Sequence, residues 1–295
     1  MRIIIIGASG LIGRSLYNLA IREGQVVIGT YNSICENGLV QFNMLKESIR
    51  RLVPDLGRND VVYLLSAYSN PSWIYENQTL ARELNYNATK RLINDASAAG
   101  ARVIFMSSVE VFDGDLGNYH ELSIPNPLNL YGRMKYDIEQ LLSEKCKKYC
   151  IVRTGWNVGW AKNHRCVIKM TYETLLKPNA KMAKNNCFSI IDVKDTARGL
   201  LLIGKNTTIT TCHLASTPPI LRADLANIII STSKYKNFMS YEIVSFSEIP
   251  YSEARGRCNH LDNSLATSTL GMSFKSSAQI IQEKIAFLDQ EDRIL

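Results

Sequence analysis

The chain contains no Cys-x-x-Cys pair, and its seven cysteines, Cys35, Cys146, Cys150, Cys166, Cys187, Cys212 and Cys258, are odd in number and scattered. Reduced thiols are therefore expected. Histidine is scarce: His120, His164, His213 and His260 stand apart, without the spacing that sets two ligands on one helix face, and no metal site is expected. A run of membrane-spanning length is also missing. The opening Met1-Arg2 passes directly into Ile3 to Ile6 and a glycine turn, an apolar stretch too short for a secretory leader, so a soluble, cytosolic protein without a membrane partner is expected. Long basic tracts are absent too. The net charge of +7 is divided among small groups such as Arg50-Arg51, Lys147-Lys148 and Arg255/Arg257, which read as solvated surface rather than a nucleic-acid interface. A second reading is a positive field that attracts a phosphate-bearing ligand.

What is present is an alternation of short apolar runs and helical patterns. At 295 residues, 46% hydrophobic and 21% charged, the chain suits one large α/β domain, with or without a smaller appendage. Ile3 to Ile6 reads as a buried strand, and Leu11, Ile12, Leu16 and Leu19 to Ile21 as a helix. Gln25 to Thr30 is a second strand, Met44 to Leu52 a second helix and Asp60 to Ser66 a third strand. A helical stretch from Ile74 to Ala99 stops at Gly100, Arg102 to Ser107 is strand four, and Leu130 to Lys147 is a helix leading to strand five at Cys150 to Thr154. Repeated βα units imply a Rossmann-type, doubly wound parallel sheet over residues 1–155. Beyond that, 156–295 reads as a smaller substrate-binding part with helices at Val193 to Ile203, Leu221 to Thr232 and Ala278 to Leu288. Some of its segments are expected to return to the first domain, Phe188 to Ile191 among them.

Between the first strand and helix stands Gly7-Ala8-Ser9-Gly10-Leu11-Ile12-Gly13-Arg14. The first glycine permits a tight turn, the second lets backbone approach a pyrophosphate, and the third allows close helix and strand packing, with the helix N-terminus toward the anion. Gly7, Ser9, Gly10, Leu11, Ile12 and Gly13 are thus candidate dinucleotide contacts, together with Ser66 and Ala67 at the end of the third strand. The second strand ends in Thr30-Tyr31-Asn32, where NAD-preferring enzymes carry a carboxylate for the ribose hydroxyls. With Tyr31 and Asn32 there and Arg14 near the turn, NADP(H) is favoured over NAD(H).

Tyr131-Gly132-Arg133-Met134-Lys135 opens a helix, and its spacing puts Tyr131 and Lys135 on one face. An ammonium beside a phenol, with a nicotinamide cation, is expected to lower the phenol's pKa so that Tyr131 can trade a proton with a carbonyl oxygen. Lys135 would also hold the nicotinamide ribose. A hydroxyl at the end of strand four, Ser108 with Ser107 as its competitor, would hydrogen-bond the same carbonyl.

The glycine turn and Tyr-x-x-x-Lys resemble the extended short-chain dehydrogenase/reductase superfamily. The stretches Ser107 to Gly114, Asn126 to Lys135, Arg153 to Gly159, Asp192 to Ala197 and Arg255 to Asp262 resemble the STDYVFDG, NPLNVYGxxK, RTSWVYG, DVxDxA and RPxNSxLD segments of the dTDP-4-dehydrorhamnose reductase family. That resemblance implies reduction of a keto group on a nucleotide-diphosphate-linked sugar. It gives Ser108 the place of the catalytic threonine, Trp156 a place against the sugar and Arg255 one facing the phosphates, with Val109 and Glu110 beside them; core and surface roles are the alternatives for Trp156 and Arg255. Asn85 matches the superfamily's supporting asparagine or is a polar helix residue, and Asn43 matches the adenine-holding residue or is loop polarity. The same resemblance extends to nucleotide-sugar epimerases and to the regulatory subunit of methionine adenosyltransferase, and admits a second copy of the chain in a homodimer. Val109 and Glu110 replace Asp and Tyr of STDY, so the sugar pocket is altered from that family's and the resemblance does not specify the sugar. The triplet Ser108-Val109-Glu110 also lacks the acid of the Thr-Asp-Glu that sugar dehydratases place there, with Glu121 a nearby substitute.

Overall fold

The computed structural model describes residues 1–160 and 166–290, so His164 lies outside it. The unbroken isoleucine run belongs to β1 (Arg2–Ile6), and burial on two sides explains it: Ile3 and Ile5 join one core cluster, Ile4 and Ile6 another. Side chains alternate across a strand, so a strand covered on both faces is apolar throughout. Six further strands run parallel to it: β2 (Val26–Tyr31), β3 (Leu39–Gln41), β4 (Asp60–Leu64), β5 (Arg102–Met106), β6 (Tyr149–Thr154) and β7 (Thr211–Leu214). Their spatial order is β7-β6-β5-β4-β1-β2-β3. Helices Leu11–Arg22 and Val193–Lys205 cover one face, Thr89–Ala98 and Leu130–Lys145 the other, the doubly wound α/β arrangement expected. Among the described residues, no helix is long and apolar enough to cross a membrane.

A third core cluster, built on Val167–Leu175, Arg222–Thr232 and Ser277–Asp289, forms the smaller part. The chain crosses between the parts more than once, since Val193–Lys205 and β7 belong to the central sheet's layers. Asp192 starts the former as an N-cap, its Oδ1 accepting from the Lys194 N–H at 2.8 Å.

Several expected elements differ. Phe188 to Ile191 does not join the central sheet: Cys187–Phe188 pairs with Ile220–Leu221 and Cys258–Asn259, and Ile190–Asp192 with Trp156–Val158. The helix expected from Met44 begins only at Ile49, because Asn43 Oδ1 caps a local turn at Leu45 N–H and Ser48 supplies the N-cap. The Ile74 to Ala99 helix breaks at Asn77, whose backbone leaves helical values while its side chain bonds Trp73 O. It then runs through a π-helical stretch, Glu83–Ala88.

Candidate active site

The strand order reverses between β1 and β4, and in such sheets ligands bind beyond the carboxyl ends at that crevice. Gly7 follows β1 with φ +91°, and a Cβ there would stand 2.9 Å from Ser66 N, so the turn and the end of β4 press together. At Gly13 an added Cβ would lie 2.1 Å from Gly7 O, which only glycine avoids. Helix Leu11–Arg22 has no side-chain cap at Gly10 and no acid in its first turn, leaving its N–H groups open to an anion. A cleft of about 340 Å³ starts here, lined by Gly7, Gly10 and Leu11 at one end and Ser108, Tyr131 and Lys135 at the other. This fits a dinucleotide: a bare helix terminus for pyrophosphate, then a hydroxyl pair and an ammonium.

Tyr131 and Lys135 lie in the first turns of Leu130–Lys145, which Asn129 starts by accepting from Gly132 N–H at 2.9 Å. Ser108 and Tyr131 line the cleft together, and the Ser108 hydroxyl lies near enough to the phenol to act against the rise in its pKa. Ser107 and Ser108 both line the cleft, but the Ser107 hydroxyl is engaged, donating to Glu139 Oε1 at 2.5 Å. Burial raises the Tyr131 pKa, and the Glu110 charge adds to this, opposite to the lowering expected from sequence. The Lys135 ammonium donates to Met106 O at 2.7 Å. Burial lowers Lys135 to about 8, with Glu139 opposing.

Beneath the site lies a buried polar chain that sequence reasoning missed. Glu139 takes both Nε and Nη2 of Arg153, at 3.0 and 2.6 Å. Arg153 Nη1 stands 3.4 Å from His213 Nε2, and His213 Nδ1 lies 3.0 Å from Tyr119 O. A carbonyl only accepts, so Nδ1 carries the proton. Burial, then Arg153, lowers His213 to about 3, keeping it neutral. Spacing could have found Glu139, which follows Lys135 by four residues on the same helix face.

The chain matches the RmlD substrate binding domain over residues 1–289. It belongs to that family. The resemblance to dTDP-4-dehydrorhamnose reductases is thereby borne out. Methionine adenosyltransferase 2 subunit beta of Rattus norvegicus is 34% identical over 144 residues, 48% of this chain and 43% of that one. The dTDP-4-dehydrorhamnose reductase of Mycobacterium tuberculosis is 28% identical over 160 residues, 52% of this chain and 50% of that one. The chain thus spans half or less of the curated relatives it matches. The Bacillus anthracis dTDP-4-dehydrorhamnose reductase, solved in complex with NADP, superposes with a TM-score of 0.79 at 22% identity, covering 97% of this chain and 99% of that one.

In this RmlD-family chain a second cleft of about 480 Å³ adjoins the first, and Glu110, Trp156 and Arg255 line both. Glu110 is held by Asn129 Nδ2 at 2.7 Å and Asn259 Nδ2 at 3.3 Å. The Arg255 guanidinium lies 5.1 Å from the Tyr251 ring centroid, and its buried Nε has no hydrogen-bond partner among the described residues. Arg222, which sequence reasoning also missed, lines the second cleft; burial lowers it to about 10. It follows a proline loop and carries no motif of its own.

Other expected contacts stand elsewhere. Asn85 spends its amide on Tyr68, accepting from N–H at 2.9 Å and donating to O at 2.8 Å, so it positions the loop after β4 rather than meeting a substrate. Asn43 Oδ1 is taken by its own turn. Tyr31 and Asn32 lie at the end of β2, outside the cleft lining, while Ala67 is within it. Arg14 forms an ion pair with Glu36, a carboxylate in the loop between β2 and β3, beyond Thr30-Tyr31-Asn32. Glu121 accepts from His213 N–H at 2.8 Å and lines neither cleft, so it is no substitute acid.

Proposed function

We propose that this protein is an NAD(P)H-dependent reductase of a keto group on a nucleotide-diphosphate-linked deoxysugar. The observation that carries the reading is that Ser108, Tyr131 and Lys135 line the cleft that starts at the glycine turn and adjoins a second, arginine-bearing one. A reduced nicotinamide, when bound, supplies the hydride. Ser108 orients the substrate carbonyl, and Tyr131 gives its proton to the oxygen as negative charge builds there. A phenol whose pKa is raised stays protonated at neutral pH, which suits an acid in the direction of reduction. Lys135 holds the ribose side of the cofactor, Gly7 to Gly13 the pyrophosphate. Arg255 and Arg222 meet the nucleotide phosphates, and Glu110 and Trp156 border the sugar. NADPH is the favoured cofactor, Arg14 turning from Glu36 to the 2′-phosphate.

A screen of nucleotide-linked keto-sugars with NADPH and NADH, read by loss of reduced-cofactor absorbance, tests this. Turnover of at least one such sugar, abolished by Tyr131→Phe, is the expected result; none across the set overturns it. The 34% identity to the adenosyltransferase subunit favours a second reading, a dinucleotide-binding regulatory subunit. Stable co-purification with a synthetase, without reductase activity, would select it.

A further inference from the structure

The scattered cysteines hide a pair. Cys187 and Cys258 are direct partners in the register of two adjacent parallel strands, Cys187–Phe188 and Cys258–Asn259. Adjacent strands stand about 4.8 Å apart, inside the roughly 4.4–6.8 Å Cα separation that a disulfide spans. Partners in register point to the same face of a sheet. Here that face is the one away from the second cleft, because the lining residues are Asn186, Phe188 and Asn259, which alternate with the cysteines. Both cysteines are half-buried and free, and the two thiols are close enough for Cys258 to add to the burial that pushes Cys187 up to about 11.

From this juxtaposition we infer that Cys187 and Cys258 are a thiol pair that closes to a disulfide by exchange with a low-molecular-weight disulfide. The Cys258 thiolate attacks one sulfur of the small disulfide and releases its first thiolate, which takes up a proton. The Cys187 thiol then loses its proton and attacks the Cys258 sulfur of the mixed disulfide, releasing the second small thiol. The two protein thiols are oxidised by two electrons and the small disulfide is reduced to two thiols. Cys187 follows Asn186 in the wall that also carries Phe188, and Cys258 sits in the strap Arg255–Asn259, which lends Arg255, Gly256 and Asn259 to the same cleft. The bond therefore staples the strap to its neighbouring wall strand from behind and leaves the lining side chains in place. The inference rests on the strand register alone and stands or falls independently of the reaction catalysed.

The whole protein is incubated with oxidised glutathione, alkylated and mapped by mass spectrometry without reduction. A Cys187–Cys258 linked peptide, two hydrogens lighter than the sum of its parts and reversed by dithiothreitol, is expected. Limited trypsin cleavage after the exposed Arg257 should then slow by roughly fivefold or more in the wild type and not in Cys258→Ser, since cleavage follows local opening. Separate glutathionylation of the two thiols, a disulfide to Cys35 instead, or no reaction overturns the pairing. A linked peptide without protection at Arg257 overturns the staple.

Discussion

Lys135 Nζ donates to Met106 O at 2.7 Å and stands 5.7 Å from the centroid of the Tyr131 ring. The ammonium is thus anchored to the end of β5, where burial lowers it to about 8. Below that pH the group is charged, and its charge favours an anionic dinucleotide. Cofactor affinity should weaken as pH rises through about 8, and Lys135→Met should bind weakly with a flat profile. Fluorescence titrations between pH values of roughly 6 and 9.5 read this, and affinity that holds or rises above 8 contradicts it. The stability effect has the opposite slope. An unfolded lysine keeps its proton to about 10.4, so between about 8 and 10.4 the unfolded chain binds more protons and folding becomes more favourable as pH rises.

Tyr131→Phe should lower turnover by at least about 10²-fold while cofactor affinity changes little, because the ring stays and only the proton is lost. Ser108→Ala should also lower turnover, by a smaller factor. Steady-state rates beside cofactor titration separate the two effects, and a Tyr131→Phe enzyme of undiminished rate would remove the proposed chemistry.

Glu36 occupies Arg14, so Glu36→Gln should free the guanidinium for a 2′-phosphate. NADPH affinity should rise several-fold relative to NADH, a gain of about 1 kcal/mol for an exposed charge contact. Equal changes for both cofactors would place the 2′-phosphate away from Arg14.

The buried Glu139–Arg153 pair predicts an asymmetry in stability. Glu139→Ala leaves a buried guanidinium uncompensated and should cost roughly 3–5 kcal/mol in urea unfolding, whereas Glu139→Leu with Arg153→Met should cost much less. A double variant as unstable as the single one would mean that packing, not charge, sets the loss.

Dehydration of nucleotide-hexoses should not occur. Val109 is buried among Val111 and Phe112 and has no proton to give, and Glu110 is pinned by two asparagines. Glu121 faces His213 instead. Incubation with dTDP-, GDP- and UDP-hexoses plus NAD(P)⁺ should give no 4-keto-6-deoxy product by mass spectrometry; its appearance at a catalytic rate refutes this.

Much of this was written locally in the chain. The isoleucine run, the glycine turn and the Tyr131/Lys135 spacing each depend on neighbours within a few residues, and such features survive folding unchanged. β3 and β7 were not legible, because Leu39–Gln41 is a short edge strand and Thr211–Leu214 buries a histidine that only Arg153 and Tyr119, far away in sequence, make tolerable. The roles of Asn85 and Glu36 were hidden for the same reason: their partners, Tyr68 and Arg14, come from other elements. So was the cysteine pair, which spacing presents as two isolated thiols.

The two clefts have Ser69, Pro71, Glu110, Trp156 and Arg255 in common. A ligand that fixes Trp156 or Arg255 in one cleft would change the work of filling the other, and the two would then be thermodynamically linked. Such linkage is reciprocal, so the factor by which a dinucleotide alters affinity for its neighbour is the factor by which that neighbour alters affinity for the dinucleotide. An order of addition is then a property of this partition as much as of either ligand.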